Sequence, residues 1–231
     1  MESSFLYEID GPIATITFNR PERRNCLNLE VLAELEAIVR KVRDNRDLRA
    51  MILTGAGPTF CAGADMSALK GVTDAAERRR IFASTGGNLP RVIGRIFDAI
   101  AHLEIVTIGA INGPAVGGGW SFVLALDFVI AVESAEFWVP EVDLDTPYRG
   151  LPAIAIAARM GPWRARDAIL GCRHYSAREL FAMGMVNEIV APERLLPAAR
   201  ELAATMCAKS RKAIAQSKRD INAFFFGERK Y

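Results

Sequence analysis

The stretch IVTIGAINGPAVGGGWSFVLALD, residues 105–127, decides how this chain is built. It begins as an apolar, β-branched run that reads as a buried strand and ends as an apolar run that reads as a helix. Between them lie a Gly-Pro turn and three consecutive glycines, Gly117 to Gly119. Strands alternating with helices argue for an α/β fold with parallel pairing, whose right-handed crossovers bring the loops leaving the strands' carboxyl ends to one side. Ligands of such folds bind at those ends.

The same alternation extends in both directions. Upstream, FLYEIDGPIATITF has two alternating stretches around an Asp-Gly turn, a hairpin signal. Asn28 is placed to cap a helix over LEVLAELEAIVRKV, and RAMILTG reads as a second buried strand. A further helix is expected from about Asp74 to Ile100, with a break at STGGNLP. Downstream, FVIAVESAEFWVP supplies two short strands and EVDLDTPYRG is irregular. LPAIAIAARMG, WRARDAILG and SARELFAMG read as helices, VNEIV as a strand, and one or two helices close the chain from Pro192. Three loops therefore follow strands: GAGPTFCAGAD, NGPAVGGG and EVDLDTPYRG.

Composition narrows the function. With 231 residues and 51% hydrophobic content, the chain can bury a proper core and reads as one domain over 1–231, with a core of about 1–190 and a helical segment of about 191–231. The 29 Lys and Arg against 27 Asp and Glu leave no basic excess for nucleic acid. No apolar run approaches the roughly 20 residues that span a bilayer, and the N-terminus lacks a signal-peptide pattern, so a soluble cytoplasmic protein is expected. Cys26, Cys61, Cys172 and Cys207 show no metal-ligand spacing, and His102 and His174 stand far apart. Neither a metal centre nor a His-driven triad is expected.

The glycines fit neither of two familiar uses. Gly55 and Gly57 begin a dinucleotide fingerprint, but Phe60 stands where its third glycine belongs. A nucleophile elbow fails because Gly119-Trp120-Ser121 is followed by Phe122 and Val123. What remains is an anion hole: glycine lets backbone N–H groups approach a ligand, and a helix start leaves its first amides unpaired. NGPAVGGG meets both conditions if the helix starts near Gly118. CAGAD does so with Asp65 as cap of a short helix, MSALK. Two such starts facing each other would offer two donors to one oxygen, which matters most when that oxygen gains charge. Either loop alone is better explained by tight turns and close packing.

FNRPERRNCLN, GPTFCAGADMSAL, AINGPAVGGGWSF, FWVPEVDL and ELFAMGMVNEIV occur in an order that resembles the enoyl-CoA hydratase/isomerase, or crotonase, family, over nearly the whole chain. The resemblance implies a crotonase-like spiral of ββα units with a helical C-terminal region. It also implies homotrimers or hexamers, and an acyl-CoA thioester substrate whose enolate is stabilised without a further cofactor. Carried over by position, the oxyanion-hole amides belong to Ala64 and Gly118. Ala62, Asp65 and Met66 line the coenzyme A side, and Arg23 or Arg24 is a candidate for its phosphates. Ser121 stands where hydratases of the family carry a glutamate, and Glu141 matches the second family glutamate. Losing one of two acids that hold water should cost on the order of a hundredfold to ten-thousandfold in hydration. One carboxylate suffices for Δ3,Δ2-enoyl-CoA isomerisation, the leading expectation. Hydration, as in fatty acid β-oxidation, stays open if Asp143, Asp145 or Ser121 positions water, as does a non-catalytic acyl-CoA-binding role. TPYRGLPAI is bulkier than the family's glycine-rich stretch there, so a reshaped acyl pocket is expected, with Trp120, Trp138 and Tyr148 as candidates to line it and core packing the default for each tryptophan. Phe224 to Phe226 either cap the core or mark an oligomer interface.

Overall fold

Gly11 has a φ of +54° and, with Pro12, turns the chain between β1 (Phe5–Asp10) and β2 (Ile13–Phe18), which pair antiparallel from Phe5 opposite Phe18 to Asp10 opposite Ile13. Asn28 then caps α1 (Leu29–Asp44), its side-chain oxygen accepting from the Val31 N–H at 2.8 Å. The helix buries Val31, Leu32, Leu35, Ile38, Val39 and Val42, one stripe at helical spacing. From there the chain enters β3 (Ala50–Gly55), parallel to β2. Described here by a computed structural model, the molecule is defined at residues 3–67, 70–74, 77, 80 and 88–226. The upstream part of the helix expected from about Asp74, and part of the one expected at MSALK, fall outside these. Most of the break expected at STGGNLP, residues 84–87, also falls outside them, and α2 (Leu89–Ala101) begins at the end of that stretch.

The strand–loop–helix stretch is present as read: β4 (Val106–Ile111), a two-residue strand β5 (Ala115–Val116), then α3 (Gly118–Leu124). Next come β6 (Phe128–Val132) and β7 (Glu136–Trp138), followed by a 3-10 turn at Val142–Leu144. Helices α4 (Leu151–Met160) and α5 (Pro162–Leu170) precede β8 (Tyr175–Ser176), α6 (Ala177–Ala182) and β9 (Glu188–Val190). The described chain closes with α7 (Leu195–Cys207) and α8 (Arg211–Phe226).

One sheet runs in the order β1-β2-β3-β4-β6-β9, parallel after the first hairpin, so every return of the chain adds a strand on the same side. A smaller sheet, β5-β7-β8, is extended by bridges from Cys61 to Ala115 and from Leu27 to Ala64. Each turn therefore visits the long sheet, then the short one, then a helix. That is a spiral of ββα units, and it stacks the loops after β3, β4 and β7 beside one another.

The closing helices are tied to this spiral. α7 lies across β3, β4 and β6, and α8 against α4. On α8, Lys218 donates to Asp127 Oδ2 at 2.7 Å and to the Ile105 carbonyl at 2.8 Å. Arg159, from α4, donates to the Leu124 and Leu126 carbonyls, both at 3.0 Å, satisfying acceptors at the end of α3. Phe226 packs edge-on against Phe97 at 5.7 Å, whereas Phe224 is 83% exposed, so the terminal phenylalanines divide between core and surface. Among the described residues no helix is long and apolar enough to cross a membrane.

Candidate active site

The loops after β3 and β4 meet where only glycine allows it. Gly63 has a φ of +78°, and a Cβ built there would lie 2.8 Å from the Val116 carbonyl oxygen. A Cβ on Gly119 would lie 2.4 Å from the Cys61 carbonyl oxygen, so the first turn of α3 rests directly on the other loop's backbone. Through these contacts the backbone at Ala64 comes beside the start of α3.

Both neighbouring amides are left without partners, for reasons the topology supplies. In the parallel bridge between Leu27 and Ala64, the hydrogen bonds run through the flanking groups, Leu27 N–H to Gly63 O at 2.7 Å and Asp65 N–H to Leu27 O at 2.8 Å. The N–H of Ala64 itself is thereby left out. Gly118 opens α3, where an N–H has no carbonyl one turn back. Among the described residues neither amide donates a hydrogen bond, and Ala64 and Gly118 line one cavity of about 60 Å³.

Glu141 enters that cavity from the turn after Pro140. Gly117 has a φ of +50°, and a Cβ there would lie 2.6 Å from Glu141 Oε1, so a bare Cα is what seats the carboxyl. The second oxygen, Oε2, is buried without a hydrogen-bond partner among the described residues. Burial pushes the Glu141 pKa up to about 7, and a bond from its own backbone N–H offsets this only in part. Among the described residues no second carboxylate causes the shift: Asp143 and Asp145 stand exposed on the same turn and do not line the cavity.

Ser121 is buried opposite. Its Oγ lies 3.1 Å from the Gly117 carbonyl, to which it donates, and 2.8 Å from the Tyr148 hydroxyl. Tyr148 lines the cavity as expected, and its ionisation is pushed up by burial, partly offset by the Ser121 bond and reinforced by the charge of Glu141. The expectation for Trp120 is corrected. It is fully buried between Phe137 and Tyr175, each at 6.1 Å, and does not line this cavity. A helix turns 100° per residue, so three steps from Gly118 bring Ser121 back towards the same face and two steps carry Trp120 to the far one. Trp138 likewise lies outside the cavity, stacked on His174 at 4.1 Å.

On the other side of the loop, Asp65 accepts from Arg23 at 2.9 Å and from the Ser67 N–H at 2.9 Å. Partial burial alone would raise the Asp65 pKa, but these bonds outweigh it and hold the carboxyl well below the usual range. Arg23 is thus engaged with Asp65 and Ser67, while the Ala62 N–H is bonded to the Arg24 carbonyl. Ala62, Asp65 and Met66 are half-buried along this rim. Sequence reasoning missed Leu89, Pro90 and Ile93, which form the apolar wall from α2. Leu89 and Pro90 fall in the stretch read as a break, which hid the start of α2.

A family model of enoyl-CoA hydratase/isomerase matches residues 8–229. The chain belongs to the enoyl-CoA hydratase/isomerase family. The crotonase-like spiral agrees with this. A short-chain-enoyl-CoA hydratase of Clostridium acetobutylicum is 32% identical over 223 residues, 95% of this chain and 81% of the relative. A crotonyl-CoA hydratase of Syntrophomonas wolfei is 32% identical over 225 residues, again 95% of this chain and 81% of the relative. Among solved structures, an enoyl-CoA hydratase from Bacillus anthracis superposes with a TM-score of 0.82 at 29% identity, covering 95% of this chain and 82% of that one.

Proposed function

We propose that this crotonase-family member acts on acyl-CoA thioesters, holds the thioester enolate with the Ala64 and Gly118 amides, and moves a proton with Glu141. The reaction supported best is Δ3,Δ2-enoyl-CoA isomerisation. Glu141 takes a proton from C2 of a 3-enoyl thioester, and the electron pair passes to the carbonyl oxygen. The protonated Glu141 then returns the proton to C4, and the double bond moves from C3–C4 to C2–C3. Atoms and charge balance without a cofactor or metal. Each oxyanion donor is worth about 3 to 4 kcal/mol in such a step.

The observation that carries this reading is the buried, unpaired Oε2 of Glu141, the sole carboxylate lining the cavity among the described residues. A group with a pKa of about 7 both accepts and returns a proton near neutrality. The coenzyme A moiety is assigned to the rim of Ala62, Asp65 and Met66, with Arg23 near the phosphates, and the subunits are expected to form trimers or hexamers. Hydration is the second reading, favoured by the hydratase names of the two relatives. A panel of 2-enoyl and 3-enoyl thioesters, followed optically, separates the two. Glu141→Gln should keep acyl-CoA affinity and lose 3-enoyl conversion; equal turnover in both proteins would overturn the role of Glu141. Unaltered acyl-CoA binding with no turnover of either thioester class in the wild type would identify a non-catalytic binder.

A further inference from the structure

The hydroxyl pair opposite Glu141 has a job of its own. Ser121 and Tyr148 each carry one hydroxyl hydrogen. That of Ser121 is directed at the Gly117 carbonyl, 3.1 Å away, which leaves Tyr148 as the donor of the 2.8 Å bond between the two side chains. The Tyr148 hydrogen is thereby committed to Ser121. Glu141 Oε2 meanwhile stays buried with no donor among the described residues, although Tyr148 and Glu141 line the same cavity of about 60 Å³. Gly117 joins the two sides, its Cα facing Glu141 Oε1 and its carbonyl accepting from Ser121.

We propose that Ser121 is a positioning residue: it latches the Tyr148 hydroxyl and so keeps that hydroxyl off the Glu141 carboxyl, leaving Oε2 unpaired. The inference rests on Glu141 being the base of the proposed reaction. Without the Ser121 oxygen, the Tyr148 hydrogen needs another acceptor, and among the described residues the Glu141 carboxylate is the anionic one lining the cavity. A donated hydrogen bond stabilises the ionised form and lowers its proton affinity. Among the described residues, the other groups around Glu141 are Thr146 and Arg149, which line the cavity, Asp143 and Asp145, exposed on its own turn, and the apolar walls contributed by α2 and α4.

The test is a carbon-13 NMR titration of glutamate carboxyls in the free protein, with the Glu141 signal assigned by its loss in Glu141→Gln. The wild type should titrate at about 7. In Ser121→Ala the midpoint should fall by about one unit or more, and in Ser121→Ala with Tyr148→Phe it should return to the wild-type value. Ser121→Gly, which also removes the hydroxyl, must reproduce the fall. An unchanged midpoint in the single variants, or a fall that persists in the double variant, overturns the latch. The titration needs no turnover, so failure of the isomerase reading would appear separately, as absence of 3-enoyl conversion in wild type with the midpoints still moving.

Discussion

Replacing Glu141 by glutamine should make the protein more stable, and only at higher pH. In the fold this carboxyl titrates at about 7 against 4.5 in a free chain, because burial opposes its charge. Between those values the folded state holds more protons than the unfolded state, so stability falls as pH rises through this window, and the loss is complete above it. A shift of this size corresponds to about 3 kcal/mol, and water reaching the half-buried site reduces it to about 2 kcal/mol. Glutamine has nearly the same shape and no proton to lose, so it mimics the protonated acid at every pH. Urea unfolding of both proteins should give equal stabilities within about 0.5 kcal/mol at about pH 4, below the free-chain value, and an advantage of about 2 kcal/mol for the variant at about pH 8. A difference that is the same at both pH values, or that favours the wild type at the higher one, would refute the assignment of the shift to burial of this carboxyl.

Other perturbations test the frame around it. Turnover of a 3-enoyl thioester, measured as kcat/KM, should rise with pH through a midpoint at about 7, since the free base must be ionised. Gly119→Ala, whose Cβ would meet the Cys61 carbonyl at 2.4 Å, should lower stability by about 2 to 3 kcal/mol in thermal unfolding. Gly118→Ala, which meets only the side-chain ends of Ile93 and Leu27, should cost less than about 1.5 kcal/mol. Trp120→Ala should cost about 3 to 5 kcal/mol by urea titration, while Trp120→Phe should leave KM for acyl-CoA nearly unchanged, as fits a core residue. Arg159→Leu should cost about 2 to 3 kcal/mol, because the Leu124 and Leu126 carbonyls lose their donors.

Periodicity and caps made the first half of the spiral legible. The alternation in FLYEIDGPIATITF and the Asn28 cap place β1, β2 and α1, and the apolar runs at Ala50 and Val106 place β3 and β4. Ala115–Val116 and Tyr175–Ser176 are strands only because β7 lies between them, and two residues carry no period to read. At the site, the glycines announced a close approach, and Glu141 entered through likeness to the family. The placement of Trp120 followed its neighbours in sequence rather than its angle on the helix. The bond from Ser121 to Tyr148 spans 27 residues and has no local signature, so only the folded chain reveals it.

The Leu27–Ala64 and Cys61–Ala115 bridges, with the Gly117 N–H to Trp138 carbonyl bond at 2.9 Å, stitch the cavity from four successive passes of the chain. A nascent polypeptide emerging from the ribosome would present both amide loops before it presented Glu141, and Glu141 before Tyr148. No fragment halted along that route could enclose the cavity, since residues as late as Tyr148 and Pro152 line it.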